Sequence, residues 1–209
     1  MEPLKVDQRR EAGLRTRARL MDAALGLLAE RGEDGVSLRD ITNAAGANVA
    51  SVSYHFGSLR ALCDAAVEQG LVGYLDAQRE AVNKLGTDST LEELAAAFAR
   101  PMISAMVAGG RDLAVMRIVA RAALDPPDGW ERFDASFDQI RSDVLKVLKA
   151  NVPGVREGEL VFRTRCAAGL INWLMLAPVG AELRTRSRRR IEALLVPTLA
   201  GTFRGVPSG

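Results

Sequence analysis

Residues 37–56 hold two short helical segments in immediate succession, SLRDITNAA and NVASVSYHF, separated only by Gly46 and Ala47. Ser37 can cap the first segment and Asn48 the second, because short polar side chains accept a hydrogen bond from the first-turn backbone of a helix. The small residues at the junction let the two helices cross closely. A short helix, a glycine-based turn and a second short helix is the plan of a helix-turn-helix, and we expect that motif here.

The second of these segments has an outer face made of short side chains, and Tyr54, His55 and Phe56 follow at its end. Short side chains let a helix backbone lie deep in the major groove of DNA, whereas a core helix would bury larger residues. The pattern therefore favours a groove-reading helix whose short outward residues are Val49, Ala50, Ser51 and Ser53.

The rest of the chain is helical by its hydrophobic period, and it contains no run of alternating β-branched residues and no internal repeat. Thr90 and Glu93 form a capping box before a helix that Pro101 should kink or divide. The sequence predicts an all-α fold, with an arm and helix-turn-helix over 1–57 and a larger helical domain over 58–209. The first amphipathic stripe consists of Leu14, Ala18, Met21, Leu25 and Leu28. Later helices are expected at about 59–82, 91–108, 112–124, 130–150, 157–176 and 187–203.

The composition is that of a globular protein, with 48% hydrophobic and 26% charged residues. A net charge of +2 is too small to indicate nucleic acid by itself. Cys63 and Cys166 lack the spacing of a disulfide framework or a metal site, so we expect a reducing interior and neither metal nor cofactor. The N-terminus has no signal-peptide pattern, and the apolar run at 166–181 is too short for a bilayer. We therefore expect a cytoplasmic protein that makes no membrane contact.

The stretch SLRDITNAAGANVASVSYHFGSLRAL resembles the N-terminal DNA-binding domain of TetR-type (TetR/AcrR) transcriptional regulators, and the likeness extends over roughly residues 13–70. The resemblance implies a three-helix DNA-binding block joined through a fourth helix to an all-α ligand-binding and dimerisation domain. It also implies repression of a double-stranded DNA operator that a small ligand relieves.

The resemblance assigns roles to residues at matching positions. Base-reading groups fall on Arg39, Val49, Ala50 and Ser51, and phosphate contacts fall on Ser37, Ser53, Tyr54 and His55. Phe56 matches the residue that fills the small core. The family commonly has Lys directly after FGS, but this chain has Leu59 there. We expect either Arg60 or the arm to compensate, the basic residues of the arm being Lys5, Arg9, Arg10, Arg15, Arg17 and Arg19.

The resemblance places a ligand cavity among the central helices and a homodimer contact on the last two helices. Weaker likeness to a fatty-acid-responsive subgroup suggests a lipophilic effector such as a fatty acid or acyl thioester. Candidate lining residues are Met102, Met106, Met116, Trp130, Phe133, Phe137 and Trp173, with Arg117, Arg121 and Asn172 as polar anchors. For each of the apolar candidates, taken singly, ordinary core packing is the favoured interpretation.

One alternative to a ligand-controlled repressor remains open at this point. An activator or an architectural protein without a small-molecule effector would bind DNA through the same motif. An enzyme is not predicted, because His55 is the only histidine and no Ser/His/Asp or Cys/His pattern accompanies it.

Overall fold

The computed structural model describes residues 3–205, with side chains from residue 8 onward except those of residues 132 and 134. All regular elements in this range are helical, which confirms the predicted all-α class. The helices are α1 (Pro3–Arg31), α2 (Leu38–Ala45), α3 (Val49–Phe56), α4 (Leu59–Asn83), α5 (Leu91–Ala108), α6 (Gly110–Leu124), α7 (Glu131–Asp134), α8 (Asp138–Asn151), α9 (Glu157–Leu176), α10 (Pro178–Leu183) and α11 (Arg188–Arg204). A short 3-10 helix at Ala135–Phe137 joins α7 to α8.

The helix starts are set by local capping, as predicted. Ser37 and Asp40 form a capping box on α2, and Thr90 and Glu93 form another on α5. The hydroxyl of Ser58 accepts a hydrogen bond from the backbone of Ala61 at 3.1 Å and so caps α4. Each cap satisfies a first-turn N–H group that has no partner within its own helix.

The chain divides into two compact units, one ending at Leu71 and the other beginning at Val72, so α4 contributes to both. The proposed domain boundary between residues 57 and 58 stays a prediction. In the first unit α1, α2 and α3 pack on one another. Their small core consists of fully or almost fully buried side chains, among them Leu20, Ala24, Leu25, Ile41, Val52 and Leu62.

The predicted stripe on α1 is correct only in its second half. Met21, Leu25 and Leu28 are buried, but Leu14 is 60% exposed and Ala18 faces solvent. The helix has 29 residues and is longer than the core it covers. The hydrophobic period of a sequence shows which face of a helix is apolar, but it does not show how much of that face is covered by other helices.

The second unit is a helical body in which α5 packs on α11 and α6 packs on α9. Of the two effects predicted for Pro101, division of the helix is wrong, because α5 runs unbroken from Leu91 to Ala108, and a kink stays a prediction. Pro101 and residues on both sides of it are buried, so tertiary packing holds the helix across the missing N–H group. Among the residues that the structure describes, every helix is too short or too polar to span a lipid bilayer.

The last helix is held at its C-terminal end by Arg163 of α9. This side chain is only 8% exposed, and its guanidinium donates to the carbonyl oxygens of Phe203, at 3.0 Å, and Arg204. The same guanidinium pairs with Glu159 one turn earlier. Arg163 therefore satisfies carbonyl groups that the end of α11 would otherwise leave without partners.

Candidate nucleic-acid interface and interior cavity

Helix α3 is positioned by local sequence signals at both ends. Gly46 adopts φ +57°, a left-handed conformation that glycine reaches without steric cost, and this ends α2 sharply. The carboxamide oxygen of Asn48 then accepts from the backbone of Ala50 at 3.0 Å. On the inner face Val52 is 1% exposed and fixes the helix on the core of the first unit. These constraints leave the opposite face of α3 directed to solvent.

The predicted base-reading residues lie on that open surface. Val49 is 43% exposed, Ala50 is exposed and Ser51 is half-buried at the start of α3. Arg39 is exposed on α2, and no described residue forms an ion pair with its guanidinium. These side chains are short or unpaired, so each can meet a base edge without first breaking a contact.

The predicted phosphate-contact residues at the end of α3 differ in how accessible they are. Ser53 is exposed and Tyr54 is 85% exposed. His55 is half-buried, with its ring 4.8 Å from that of Tyr54 in an edge-to-face arrangement. Its Cε1 atom lies beside α1, where a Cβ atom placed on Gly13 would be only 3.7 Å away. The tyrosine is therefore free to reach a ligand, while the histidine is partly committed to packing.

Phe56 is not the buried residue of α3. Its ring is half-buried, and the guanidinium carbon of Arg17 lies 5.1 Å from its centroid in a cation-π contact. The expectation that Phe56 fills the small core is therefore wrong, because that position belongs to Val52 one turn earlier.

Asp40 accepts both of the hydrogens that Ser37 can donate. Its hydroxyl donates to the Oδ2 atom of Asp40 at 2.5 Å, and its backbone N–H donates to the same atom at 3.0 Å. These two hydrogen bonds, with a further contribution from Arg31 at 3.6 Å, lower the pKa of Asp40 below its usual value. A phosphate oxygen only accepts hydrogen bonds, so Ser37 can bind one only by giving up a bond to Asp40.

Two of the residues expected to replace the missing Lys, Arg60 and Arg15, are engaged with carboxylates. Arg60 lies 3.1 Å from Glu33 and 3.5 Å from Asp64, so its charge is already partly neutralised. In the arm, Arg15 pairs with Glu11 at 3.2 Å, while Arg9, Arg10 and Arg19 are exposed. The side chain of Lys5 lies outside the described residues. The exposed arginines of α1 are therefore the better source of compensation.

The second unit contains a cavity of about 50 Å³ that is partly open to solvent. Its apolar wall consists of Phe98, Met102, Met116, Ala168 and Ile171, and its polar groups belong to Tyr74, Gln78 and Asn172. This volume is well below the range of roughly 300–1,000 Å³ that is usual for small-molecule sites, so only a compact group fits without movement of the walls.

The structure brings together only part of the predicted lining. Met102, Met116 and Asn172 line the cavity. Phe137 does not line it, but its ring lies 6.0 Å from that of Tyr74, which is a lining residue. Met106 is buried elsewhere in the core, Trp130 packs on Phe133 at 5.1 Å, and Trp173 is 53% exposed. Neither Arg117 nor Arg121 is among the lining residues, although the Nε atom of Arg117 is buried without a hydrogen-bond partner among the described residues.

Tyr74 and Gln78 are the polar lining residues that sequence reasoning missed, and Gln78 is the one with a signal in the sequence. It is 4% exposed and falls on the inward stripe of α4 between the buried residues Leu75 and Val82. A long polar side chain on such a stripe is a signal available from the sequence alone, because glutamine is rarely buried without a reason.

Comparison with known proteins agrees with this architecture. Residues 20–66 match the family described as "Bacterial regulatory proteins, tetR family", and residues 96–197 match "Tetracyclin repressor-like, C-terminal domain". Together the two matches span well over half of the chain. The curated relative "Probable HTH-type transcriptional regulator YttP" of Bacillus subtilis (strain 168) is 32% identical over 79 residues, which is 38% of each chain.

Solved structures have the same fold. The TetR family transcriptional regulator PfmR from Thermus thermophilus superposes with a TM-score of 0.64 at 19% identity, covering 91% of this chain and 97% of the other. The "Probable transcriptional regulatory protein RHA5900" gives a TM-score of 0.62 at 20% identity, covering 92% and 100%. The two family matches, on a chain with this fold and an exposed helix-turn-helix, establish that the protein belongs to the TetR family of DNA-binding transcriptional regulators, which are not enzymes.

Proposed function

We propose that the protein is a homodimeric repressor that binds a palindromic operator and releases it when a small lipophilic ligand occupies the cavity of the second unit. The observation that carries the proposal is the outer face of α3, which presents short side chains and the freely accessible Tyr54 on a helix fixed from below by Val52. A helix of this kind fits a major groove, and the open ring can reach the flanking backbone.

The accessible residues divide the work of DNA binding. Arg39 and the first turn of α3, with Val49, Ala50 and Ser51, are placed to read base edges, since arginine can pair with guanine and small apolar groups with a thymine methyl. Tyr54 and Ser53 donate hydroxyl hydrogen bonds to phosphates, with His55 as a third contact. Ser37 and Arg60 contribute only if DNA displaces their carboxylate partners, and we expect them to add less.

Exposed apolar side chains on the last long helices support the homodimer. Phe162 and Trp173 on α9 are 65% and 53% exposed, and Leu194 on α11 is 43% exposed. Cys166 and Gly169 lie on the same face of α9 at helical spacing. A second copy of the chain would cover this surface by isologous contact, and a two-fold dimer presents two α3 helices to two half-sites of a palindrome.

Effector-dependent release requires two conformations that differ in their affinity for DNA. The ligand must bind the conformation with the lower DNA affinity more tightly than it binds the other. The cavity between α4, α5, α6 and α9 supplies a site where a ligand could make that difference. Repression rather than activation follows if the bound operator overlaps a promoter.

The proposal is tested by selecting operator sequences from random duplex DNA and measuring affinity by fluorescence anisotropy at two salt concentrations. Arg39→Ala should weaken operator binding about 5- to 150-fold and relax specificity at one position, the cost of one lost base contact. Tyr54→Phe should weaken operator and non-operator DNA by the same factor, because a phosphate contact carries no sequence information.

Arg79→Ala is the matched control, because this exposed arginine of α4 belongs to the second unit and pairs with Asp76. Its affinity for DNA should equal that of the wild type. Selected sequences without two-fold symmetry would argue against the dimer, and the absence of any selected sequence would argue against the regulator itself.

A further inference from the structure

In the described part of the chain, the cavity of the second unit combines an apolar wall with a few polar groups and no charged group. The eight described residues that line it are all uncharged, and three of them carry hydrogen-bonding groups. Tyr74 and Gln78 come from α4, one helical turn apart, and Asn172 comes from α9. The polar groups therefore converge from two helices on one space.

None of these three polar groups is used by the fold. Gln78 is 4% exposed and Tyr74 and Asn172 are half-buried, and no described residue exchanges a hydrogen bond with the side chain of any of the three. All three side chains border the partly open cavity. A ligand with its own donors and acceptors can therefore pair with them there.

The protonation state of Tyr74 fits the same conclusion. Burial raises the pKa of its phenol to about 12, so the group stays a neutral hydrogen-bond donor at physiological pH. The two carboxamides can both donate and accept. A ligand surrounded by these groups can satisfy its own donors and acceptors but finds no opposite charge.

We infer that the effector is a compact, uncharged and largely apolar molecule whose carbonyl, hydroxyl or amide group is held by Tyr74, Gln78 and Asn172. The inference rests on the proposed function, in which this cavity receives the effector. A carboxylate is disfavoured because a buried charge needs a paired opposite charge. Phe98, Met102 and Met116 provide the adaptable apolar wall for the remainder of the molecule.

Arg117 is the rival anchor, because it follows Met116 on α6 and its Nε atom is buried without a described partner. It is not among the lining residues. If the cavity took an anion, this guanidinium would have to turn toward it. The two alternatives therefore predict opposite responses to the charge of the ligand and to removal of Arg117.

The test is isothermal titration of the full chain at pH 7.5 with straight-chain carboxylic acids of three to six carbons and the primary amides of the same chains. We expect the best amide to bind at least about tenfold more tightly than its own acid, since it exchanges hydrogen bonds where the acid buries a charge. Gln78→Leu and Asn172→Leu should each weaken amide binding roughly tenfold, because each leaves a ligand group unpaired. Gln69→Leu, the same substitution at an exposed position of α4, should leave it unchanged.

Acids that bind as tightly as their amides, or binding lost in Arg117→Gln, would overturn the inference, as would amides that do not bind at all. Displacement of the selected operator is measured in parallel to keep this result apart from the proposed function. Amides that bind without releasing DNA would support the inferred ligand class but contradict ligand-controlled repression. Release of the operator by acids and not by amides would support ligand-controlled repression but contradict the inferred ligand class.

Discussion

The two units of the protein place their candidate functional groups in opposite environments. In the first unit Arg39, Val49 and Tyr54 lie on an open surface over a closed core. In the second unit Tyr74 and Gln78 border a partly enclosed cavity and have no described hydrogen-bond partner. One unit presents its functional groups on an open surface, and the other surrounds them with apolar side chains.

The difference follows from the sizes of the two expected ligands. A DNA duplex is too large to enter a protein, so a reader must offer short side chains on an exposed helix and gain affinity from many phosphate contacts. A small molecule gains enough only if it is surrounded and its few polar groups are matched. The second unit therefore contains polar groups without a described protein partner, and these groups should lower its free energy of unfolding.

The largest effect should come from a buried polar group that does have partners. Arg163→Leu removes the donors to the carbonyls of Phe203 and Arg204 and leaves the end of α11 uncapped. We expect a loss of about 2–4 kcal/mol in the free energy of unfolding, since buried carbonyls are left without donors. Urea denaturation followed by circular dichroism measures the loss, and hydrogen exchange locates it in the last turn of α11.

Arg60→Leu is the control for that experiment in the first unit. Arg60 forms ion pairs of 3.1 and 3.5 Å at a solvent-exposed position, and its removal should cost at most about 1 kcal/mol. Equal losses for the two variants would mean that burial does not distinguish the polar groups of the two units.

A smaller effect is expected at the turn that orients α3. Gly46→Ala places a side chain at φ +57° and should destabilise the first unit by about 1–2 kcal/mol. DNA affinity should fall as well, because the relation between α2 and α3 depends on this turn. Thermal denaturation and operator binding are the two measurements.

Gly26→Ala is the matched control for the turn, since Gly26 lies inside α1 and an added Cβ atom meets nothing within 4 Å. The change should stabilise the helix by about 0.5–1 kcal/mol. If Gly46→Ala behaved like Gly26→Ala, the turn would not require its left-handed residue.

The unpaired glutamine makes a prediction of the opposite sign. Gln78→Leu replaces a buried carboxamide without a described partner by an apolar side chain of similar size, and it should stabilise the protein by about 1 kcal/mol. The stability of the wild type and the variant is compared by urea denaturation without ligand. A destabilised variant would mean that the carboxamide serves the fold, and the contrast between the units would lose its basis.

Local features of the fold could be predicted from the sequence because their causes are local. Ser37, Asn48 and Thr90 cap the helices that follow them, and Gly46 ends α2, since each acts within a few residues of itself. Pro101 was misjudged for the complementary reason. Its effect depends on the burial of the residues around it, which belongs to tertiary packing.

The candidate sites also differ in whether their residues are close together in the sequence. The residues of α3 could be assigned because the motif that carries them is continuous in sequence. The cavity could not, because its wall is assembled from four separate helices, and residue type does not distinguish Met102, which lines it, from Met106, which does not. Trp173 was a reasonable lining residue by composition, but it faces solvent on α9. Only Gln78 carried a readable signal, as a polar residue on an apolar stripe.

The smallest expected effect tests whether the exposed unit depends on charge at all. Hydrogen bonds from Ser37 hold the pKa of Asp40 below its usual value. The ionised carboxylate therefore stabilises α2 fully when the pH is above the pKa that Asp40 has in the unfolded chain. This contribution is lost as the pH falls through the lower pKa that Asp40 has in the folded protein. Asp40→Asn should therefore lower the melting temperature slightly at pH 7, and the difference from the wild type should shrink as the pH falls below about 4. Asp34→Asn, an exposed change in the preceding loop, controls for the lost charge. A difference that stayed constant as the pH fell below about 4 would mean that the side chain of Asp40 acts through its shape alone, and that the first unit positions its DNA-reading helix without electrostatic support.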